Sequence, residues 1–235
     1  MRPPIYKPSG VALEYADYGL NIYDSCPHGC TYCYAAAMAK RFGQPWGSSV
    51  NVRPDLQRAL ENQLPQKQWW NAGKLIHLCF TCDPYPVGHD STATREVIKA
   101  IKESGNHVQI LTKGDETARR DFDLLDGNDS FGITLSGGWE EEPGAAGHFT
   151  RIDNLIQAKA AGIQTWVSCE PVYNPRFIIE TIGWLDSADL WRIGKLNHRK
   201  SSIDWKQFGY QAKAMCNTAG RKCYIKKDLQ REMES

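Results

Sequence analysis

The stretch "DSCPHGCTYCYAAAMAKRFG", residues 24–43, places Cys26, Cys30 and Cys33 within eight residues and then runs directly into an alanine-rich segment. Alanine and lysine favour helix, Gly43 marks a stop, and the short run "LNIYDS" before the cysteines reads as a strand. The cysteines therefore occupy a loop between a first strand and a first helix. Pro27 and Gly29 suit a tight loop, because glycine adopts positive φ without a steric penalty.

Outward from this loop, short apolar runs alternate with amphipathic stretches. "LIHLCFT" (75–81) leads to "TATREVIKAIKESG", whose Val97, Ile98 and Ile101 share one face and whose Gly105 sits at the stop. "HVQILTK" leads to "TARRDFDLL", "FGITLS" to "FTRIDNLIQAKAAG", "QTWVSCE" to "PRFIIETIGWLD", and "LWRIGKLN" to "WKQFGYQAKAMCNTAG". Six strand and helix pairs at this spacing predict an α/β fold of parallel units with helices on the faces of the sheet. Six is short of the closed eight-membered barrel, so the expectation is a partial, open (β/α)6 TIM-like barrel. It is expected as a single domain, 1–235, with a core at about 20–200. A helical insertion at 44–74 would contain a helix from 54 to about 64, and 201–235 would add a C-terminal helix and, in "RKCYIKKDL", a short seventh strand. Chemistry in such folds sits at the carboxyl ends of the strands, and the cysteine loop falls at that end.

With 235 residues, 41% of them hydrophobic, the chain can bury a full core. A net charge of +1 gives no global attraction to polyanions, so any nucleic-acid surface must be local. No run of about 18 apolar residues occurs, and "MRPPIYKPSG" lacks the apolar stretch of a secretory signal. The expected setting is cytoplasmic, without a membrane partner. The eight cysteines then point to metal or catalysis rather than to disulfides.

Three thiolates spaced Cys-x3-Cys-x2-Cys can each reach one iron of a cubane and leave the fourth iron open. An open metal position is where a substrate or cosubstrate binds. Zinc completed by His28, or three unrelated thiols, are the alternatives.

The string "CPHGCTYCY", with aromatic Tyr32 before the last cysteine, resembles the cluster loop of radical S-adenosylmethionine (SAM) enzymes. The resemblance implies a radical SAM core and a [4Fe-4S] cluster on Cys26, Cys30 and Cys33, whose open iron is chelated by the amino and carboxylate groups of SAM. It further implies reductive cleavage of SAM to methionine and a 5′-deoxyadenosyl radical, fed by an electron donor such as flavodoxin or ferredoxin. "FTCDPYPVGHDSTATREVIKAI", "VQILTKGD", "FGITLSG" and "AKAAGIQTWVSCEPVYNP" resemble strand ends of the spore photoproduct lyase and DNA repair photolyase-like branch. Carried over by position, this resemblance implies that Tyr34 and Lys113 contact SAM, with Tyr32 beside them. Ser136 would lie near its ribose or carboxylate, and Asp83 would receive its amino group. The hydrogen-donating cysteine of that branch aligns with Phe80 here, flanked by Cys79 and Cys82. Strand parity puts Cys82 on the Phe80 face, making it the candidate donor, and turns Cys79 away; it also argues against "CFTC" as a zinc pair.

Simpler roles stand beside these. Lys113 could be a solvated loop lysine, Asp83 a turn cap, and Ser136 a turn former before Gly137 and Gly138, while Cys79 is expected to be a plain buried cysteine. Glu170, a carboxylate after the apolar run "TWVSC", is expected to touch SAM or substrate, with a structural salt bridge as the alternative. Cys169, Lys195 and Asn197 are expected at the mouth, and "KLNHRK" reads as a solvated basic loop or a phosphate grip through Lys195, His198, Arg199 and Lys200. "GGWEEEPGAAGH" reads as an exposed acidic loop or a lid, and Trp69 and Trp70 as packing for a helix end. Cys216 and Cys223 are too few for a second cluster. The function expected is hydrogen abstraction from an unidentified substrate, with a nucleobase or nucleic acid foremost. A small-molecule or peptide-modifying radical enzyme, and a non-catalytic iron-sulfur or zinc module, are the alternatives.

Overall fold

A computed structural model describes residues 4–64, 73–197 and 199–235. Edge strand β1 (Ile5–Tyr6), a 3₁₀ helix (Gly10–Glu14) and β2 (Tyr18–Leu20) precede the cysteine loop, which enters α1 (Tyr34–Arg41). Helix α2 (Leu56–Arg58) continues as a π-helical turn (Ala59–Gln63). The chain then alternates β3 (Leu75–Leu78), α3 (Thr92–Glu103), β4 (His107–Thr112), a 3₁₀ helix (Glu116–Leu124), β5 (Ser130–Thr134), α4 (His148–Ala160), β6 (Gln164–Cys169), α5 (Pro175–Trp184), β7 (Leu190–Ile193), α6 (Trp205–Thr218), β8 (Cys223–Ile225) and α7 (Lys227–Glu234). All eight strands form one sheet in chain order, with β1 antiparallel to β2 and each later pair parallel. Among the described residues no pairing joins β8 back to β1, so the barrel stays open.

The strands are two-faced. Ile76 and Leu78, Val108 and Ile110, Phe131 and Ile133, and Trp191 and Ile193 are fully buried core residues. The alternate positions His77, Gln109, Trp166 and Arg192 belong to the lumen, where the period-2 alternation of a strand directs every second side chain. Tyr15 joins them as a plug, with its ring 5.4 Å from His77 and 5.8 Å from Trp166, and the Arg192 guanidinium 5.1 Å from its centroid. Lumen space at this level is tight enough that β5 carries Gly132 against the Trp166 indole. On the outer face, the Val97, Ile98 and Ile101 stripe of α3 is completely buried, worth about 1.5–3 kcal/mol per side chain.

Four expectations need correction. The first strand is Tyr18–Leu20 rather than "LNIYDS"; residues 21–25 already belong to the loop, with Tyr23 held in an isolated bridge to Val52. The run "LIHLCFT" stops as a strand at Leu78. The helix expected at "TARRDFDLL" is 3₁₀: Asp115 caps it, and Arg95 to Asp121 and Asp123 and Arg119 to Asp153 tie it sideways to α3 and α4. Both β1 and α7 are additions to the expected elements, whereas the short seventh strand is present as β8. Of the insertion, the helix near 56–63 is present, while Trp69 and Trp70 lie outside the described residues.

Replacing Gly132 with alanine would drive a methyl into the Trp166 ring. Gly132→Ala is expected to lower the unfolding free energy by about 1–3 kcal/mol, read from the urea midpoint at constant m.

Candidate active site

The carboxyl ends of β3 to β8 and the cysteine loop surround a cavity of 560 Å³. Cys26, Cys30 and Cys33 line one wall together with Tyr32 and Tyr34; Cys82, Asp83 and Lys113 line the adjoining wall; Glu170 stands opposite. Nine of the ten site residues expected from the sequence thus meet at one cavity.

The loop reaches this position through specific local bonds. Gly29 has φ +61°, where other residues are strained. Cys33 is the N-cap of α1: its amide donates to the Cys30 carbonyl at 3.1 Å, and its sulfur accepts from the Ala36 amide at 3.4 Å. Burial pushes the Cys26 and Cys30 thiols above the ordinary range, so ligation there must displace protons. His28 is buried and has both ring nitrogens directed at other partners. Its Nε2 accepts from the Val87 amide at 3.2 Å, and its Nδ1 faces Asp83 Oδ2 at 3.6 Å. Among the described residues no three His, Cys, Asp or Glu side chains gather closely enough to hold one ion. Three thiols spread along a cavity wall suit ligation of separate irons better than a shared zinc, where sulfurs sit about 2.3 Å from a single metal.

Asp83 is a brace as well as a wall residue. Its Oδ1 accepts from the Tyr85 amide (2.9 Å) and the Thr112 hydroxyl (2.5 Å), and its Oδ2 accepts from the Lys113 amide (2.8 Å), which locks the end of β3 to the end of β4. The turn-cap role is therefore real, and the carboxylate still faces the cavity. The Lys113 ammonium lies 5.7 Å from the Tyr32 ring centroid and, among the described residues, makes no hydrogen bond or ion pair. Burial pulls its pKa down, but Cys30, Glu142 and Asp83 outweigh that and leave it raised. It is a charged, uncommitted cation at the cavity edge. Tyr32 donates to Glu142 Oε1, and Tyr34 to the Phe80 carbonyl.

Ser136 is a correction. It is fully buried off the cavity, with its Oγ accepting from the Gly138 amide at 3.1 Å and lying 3.3 Å from His148 Nε2. The hydroxyl residues that line the cavity from β5 and β6 are Thr134 and Ser168. Cys169 is also corrected: it is completely buried, outside the cavity lining. The parity argument for Cys79 fails because β3 ends one residue earlier. The Phe80 and Thr81 amides both donate to Asn21 Oδ1, bending the chain so that Cys79 and Cys82 touch and line the same cavity.

Glu170 carries the salt bridge that ranked second in the sequence. It pairs with Lys226 and accepts from Asn197 Nδ2 at 3.0 Å while lining the cavity. Lys226, missed from the sequence, is buried after β8, donates to the Tyr15 hydroxyl at 2.9 Å, and occupies the same strand-end position that drew attention to Lys113. Lys195 pairs with Glu232, Arg199 donates to the Thr31 carbonyl, Lys200 is exposed, and His198 lies outside the described residues. The acidic loop is neither wholly exposed nor free: Glu142 is 3% exposed and bonded inward.

With this geometry in place, relatives can be compared. A family model described as "Protein of unknown function (DUF5131)" matches residues 11–185. The chain belongs to that family. An uncharacterized protein of Methanocaldococcus jannaschii is 31% identical over 176 residues, covering 71% of this chain and 64% of that protein. An uncharacterized protein of Acidianus two-tailed virus is 27% identical over 208 residues, covering 77% of this chain and 67% of that protein. The chain spans only 52% of an uncharacterized Mycobacterium tuberculosis relative, at 27% identity. Among solved structures, a spore photoproduct lyase mutant superposes with a TM-score of 0.70 at 14% identity, over 89% of this chain and 76% of that one. Streptococcus suis SuiB bound to S-adenosylmethionine superposes with a TM-score of 0.60 at 13% identity, over 88% of this chain and 46% of that one. The likeness is one of fold: the open barrel of this chain superposes on the barrels of spore photoproduct lyase and SuiB.

Two buried histidines give the fold a pH signature. His77 is 2.9 Å from Gln109 Oε1, and burial drops its pKa to about 4; burial first, then Arg151, drops His148 to about 4 as well. The unfolded chain takes up a proton at each below about 6.5, which the folded chain refuses until about 4. Stability should therefore fall as pH decreases from about 6.5 to 4. In His77→Gln the slope should shrink by at most about 1.4 kcal/mol per pH unit, measured by urea titration across that range.

Proposed function

We propose that this protein is a radical SAM enzyme that abstracts hydrogen from its substrate, with Cys26, Cys30 and Cys33 as the ligands of a [4Fe-4S] cluster. The observation that carries the reading is the meeting, in one open cavity, of three loop thiols with an uncommitted lysine and a braced carboxylate. The residues fit the group: His28 is engaged elsewhere, and the thiols are the donors that such clusters take. When bound, the cluster supplies the electron that splits the SAM sulfonium into methionine and a 5′-deoxyadenosyl radical.

The chain's own residues do the rest. Lys113 presents its ammonium to the SAM carboxylate, and Asp83 presents the edge of its carboxylate to the SAM amino group; both contacts are charge-assisted in a partly dry site. Tyr32 and Tyr34 wall the cavity beside them and exclude water. On the far side, Glu170, Lys226, Tyr15 and Asn197 form a neutralised polar wall that holds the substrate. Cys82 faces the cavity as donor: its S–H hydrogen atom passes to a substrate radical, and the sulfur radical left beside Cys79 is returned to the thiol by one electron from the external donor and one proton.

A nucleobase or nucleic acid is the substrate class favoured by the fold likeness to spore photoproduct lyase, a mutant of which is solved with bound dinucleoside spore photoproduct. The exposed face of α1, beginning at Cys33, gives an electron donor such as flavodoxin or ferredoxin a short path to the cluster. Eight free thiols suit the reducing cytoplasm. Among the described residues no helix is long and apolar enough to cross a membrane.

Anaerobic reconstitution tests the proposal. The wild-type protein should take up about four irons and four sulfides and release 5′-deoxyadenosine when reduced with SAM. Alanine at Cys26, Cys30 or Cys33 should abolish release, and Cys216→Ala should not. Lys113→Ala should raise the SAM dissociation constant by about tenfold or more with cluster absorbance unchanged. A colourless protein that binds zinc rejects the reading. Deuterium transferred from a labelled nucleoside or oligonucleotide into 5′-deoxyadenosine would identify the bond attacked.

A further inference from the structure

We propose that Glu142 is the positioning residue of the cysteine loop, and that the β5–α4 connection, residues 135–147, is the clamp through which it acts. The proposal rests on the radical SAM reading only for what the loop carries. Apart from Ser136 at its start, the sequence of this connection reads only as an exposed acidic loop or a lid.

The cysteine loop has little internal structure between residues 21 and 33, so its backbone groups need outside partners. The clamp supplies two. The Thr31 amide donates to the Glu141 carbonyl at 2.9 Å, and the Gly144 amide donates to the His28 carbonyl at 2.9 Å. Gly144 must be glycine for this approach, because a Cβ there would lie 2.6 Å from the Pro27 carbonyl oxygen.

Between these two bonds stands Glu142. Its Oε1 accepts from the Tyr32 hydroxyl, and its Oε2 is 2.7 Å from Arg151 Nη1, with both acidic and basic side chains 1% exposed. Arg151 is in turn fixed by donation to the Ala146 carbonyl at 2.7 Å and to the Thr134 carbonyl, the end of β5, at 2.9 Å. His148 fastens the base of the connection, its Nε2 accepting from the Ser136 and Gly137 amides at 3.3 and 3.0 Å. A continuous path therefore runs from the sheet through Arg151 and Glu142 to Tyr32, the residue between Cys30 and Cys33. If Tyr32 swings away, a buried carboxylate oxygen loses its partner, so the network resists that motion. Glu142 is hydrogen-bonded to the loop through Tyr32, and its charge also acts on Cys30 directly. The same connection also reaches Lys113, whose carbonyl accepts from the Ala146 amide at 2.9 Å.

The test uses the full chain before and after reconstitution, with Glu142→Ala, Tyr32→Phe, the double variant and Glu142→Gln. Before reconstitution, hydrogen exchange of amides 26–33 should accelerate by about tenfold or more in Glu142→Ala and in Tyr32→Phe, while α3 amides keep wild-type protection. The double variant should exchange no faster than the faster single variant, because both changes cut one path. Glu142→Gln retains an acceptor for Tyr32 and should return exchange toward the wild-type rate. After reconstitution, the same two single variants should share an altered electron paramagnetic resonance signal of the reduced cluster at unchanged iron content. Wild-type exchange of amides 26–33 in Glu142→Ala overturns the proposal. So do additive effects in the double variant, equal loss of protection across α3, or a glutamine variant as fast as alanine. If the wild-type chain takes up no cluster, the radical SAM reading fails, yet the exchange measurement still decides the clamp.

Discussion

The arrangement depends on holding a nearly structureless loop, with three thiols on it, against one wall of an open barrel. Its backbone has few partners of its own, and two buried carboxylates from other loops supply the constraint. Asp83 joins the ends of β3 and β4 and faces His28 inside the loop. Glu142 joins Tyr32 to Arg151 and so to β5. Asp83 accepts from three donors, and Glu142 accepts from the Tyr32 hydroxyl and is paired with Arg151, which makes their burial tolerable and their loss expensive.

The barrel provides the space for this. The central strands send apolar side chains outward to the helices and set His77, Trp166 and Arg192 inward, where with Tyr15 they fill the lower lumen. Above that plug the lumen opens into the cavity, with sulfur and Lys113 on the early-strand side and the Glu170–Lys226 pair on the late-strand side. Since the family match ends at residue 185, Lys195, Asn197 and Lys226 contribute to the far wall from beyond the matched segment. The far wall thus combines Tyr15 and Glu170 from the matched segment with Lys195, Asn197 and Lys226 from beyond it.

Much of this was legible in the sequence where the signal is local. Val97, Ile98 and Ile101 fall at helical spacing and mark α3; Cys26, Cys30 and Cys33 mark the loop by spacing alone; Asp83 and Lys113 follow apolar runs and so fall at strand ends. What was hidden is non-local. Tyr32 and Glu142 are 110 residues apart, and no periodicity announces their bond. Cys79 is buried as expected, yet it also meets Cys82 at the cavity, because strand parity does not extend past Leu78, where Asn21 bends the chain. Ser136 was misplaced because the chain after β5 turns inward onto His148 instead of lining the opening. Lys226 was overlooked because β8 is only three residues long, although its strand-end position repeats the logic that found Lys113.

The central claim is a cluster held by three thiols with one iron left for SAM. Mössbauer spectroscopy of the reconstituted, iron-57-labelled protein, with and without SAM, tests it most directly. The account predicts that SAM alters the parameters of one iron site and leaves the others unchanged. Four irons indifferent to SAM, or a spectrum of isolated mononuclear iron, would contradict it.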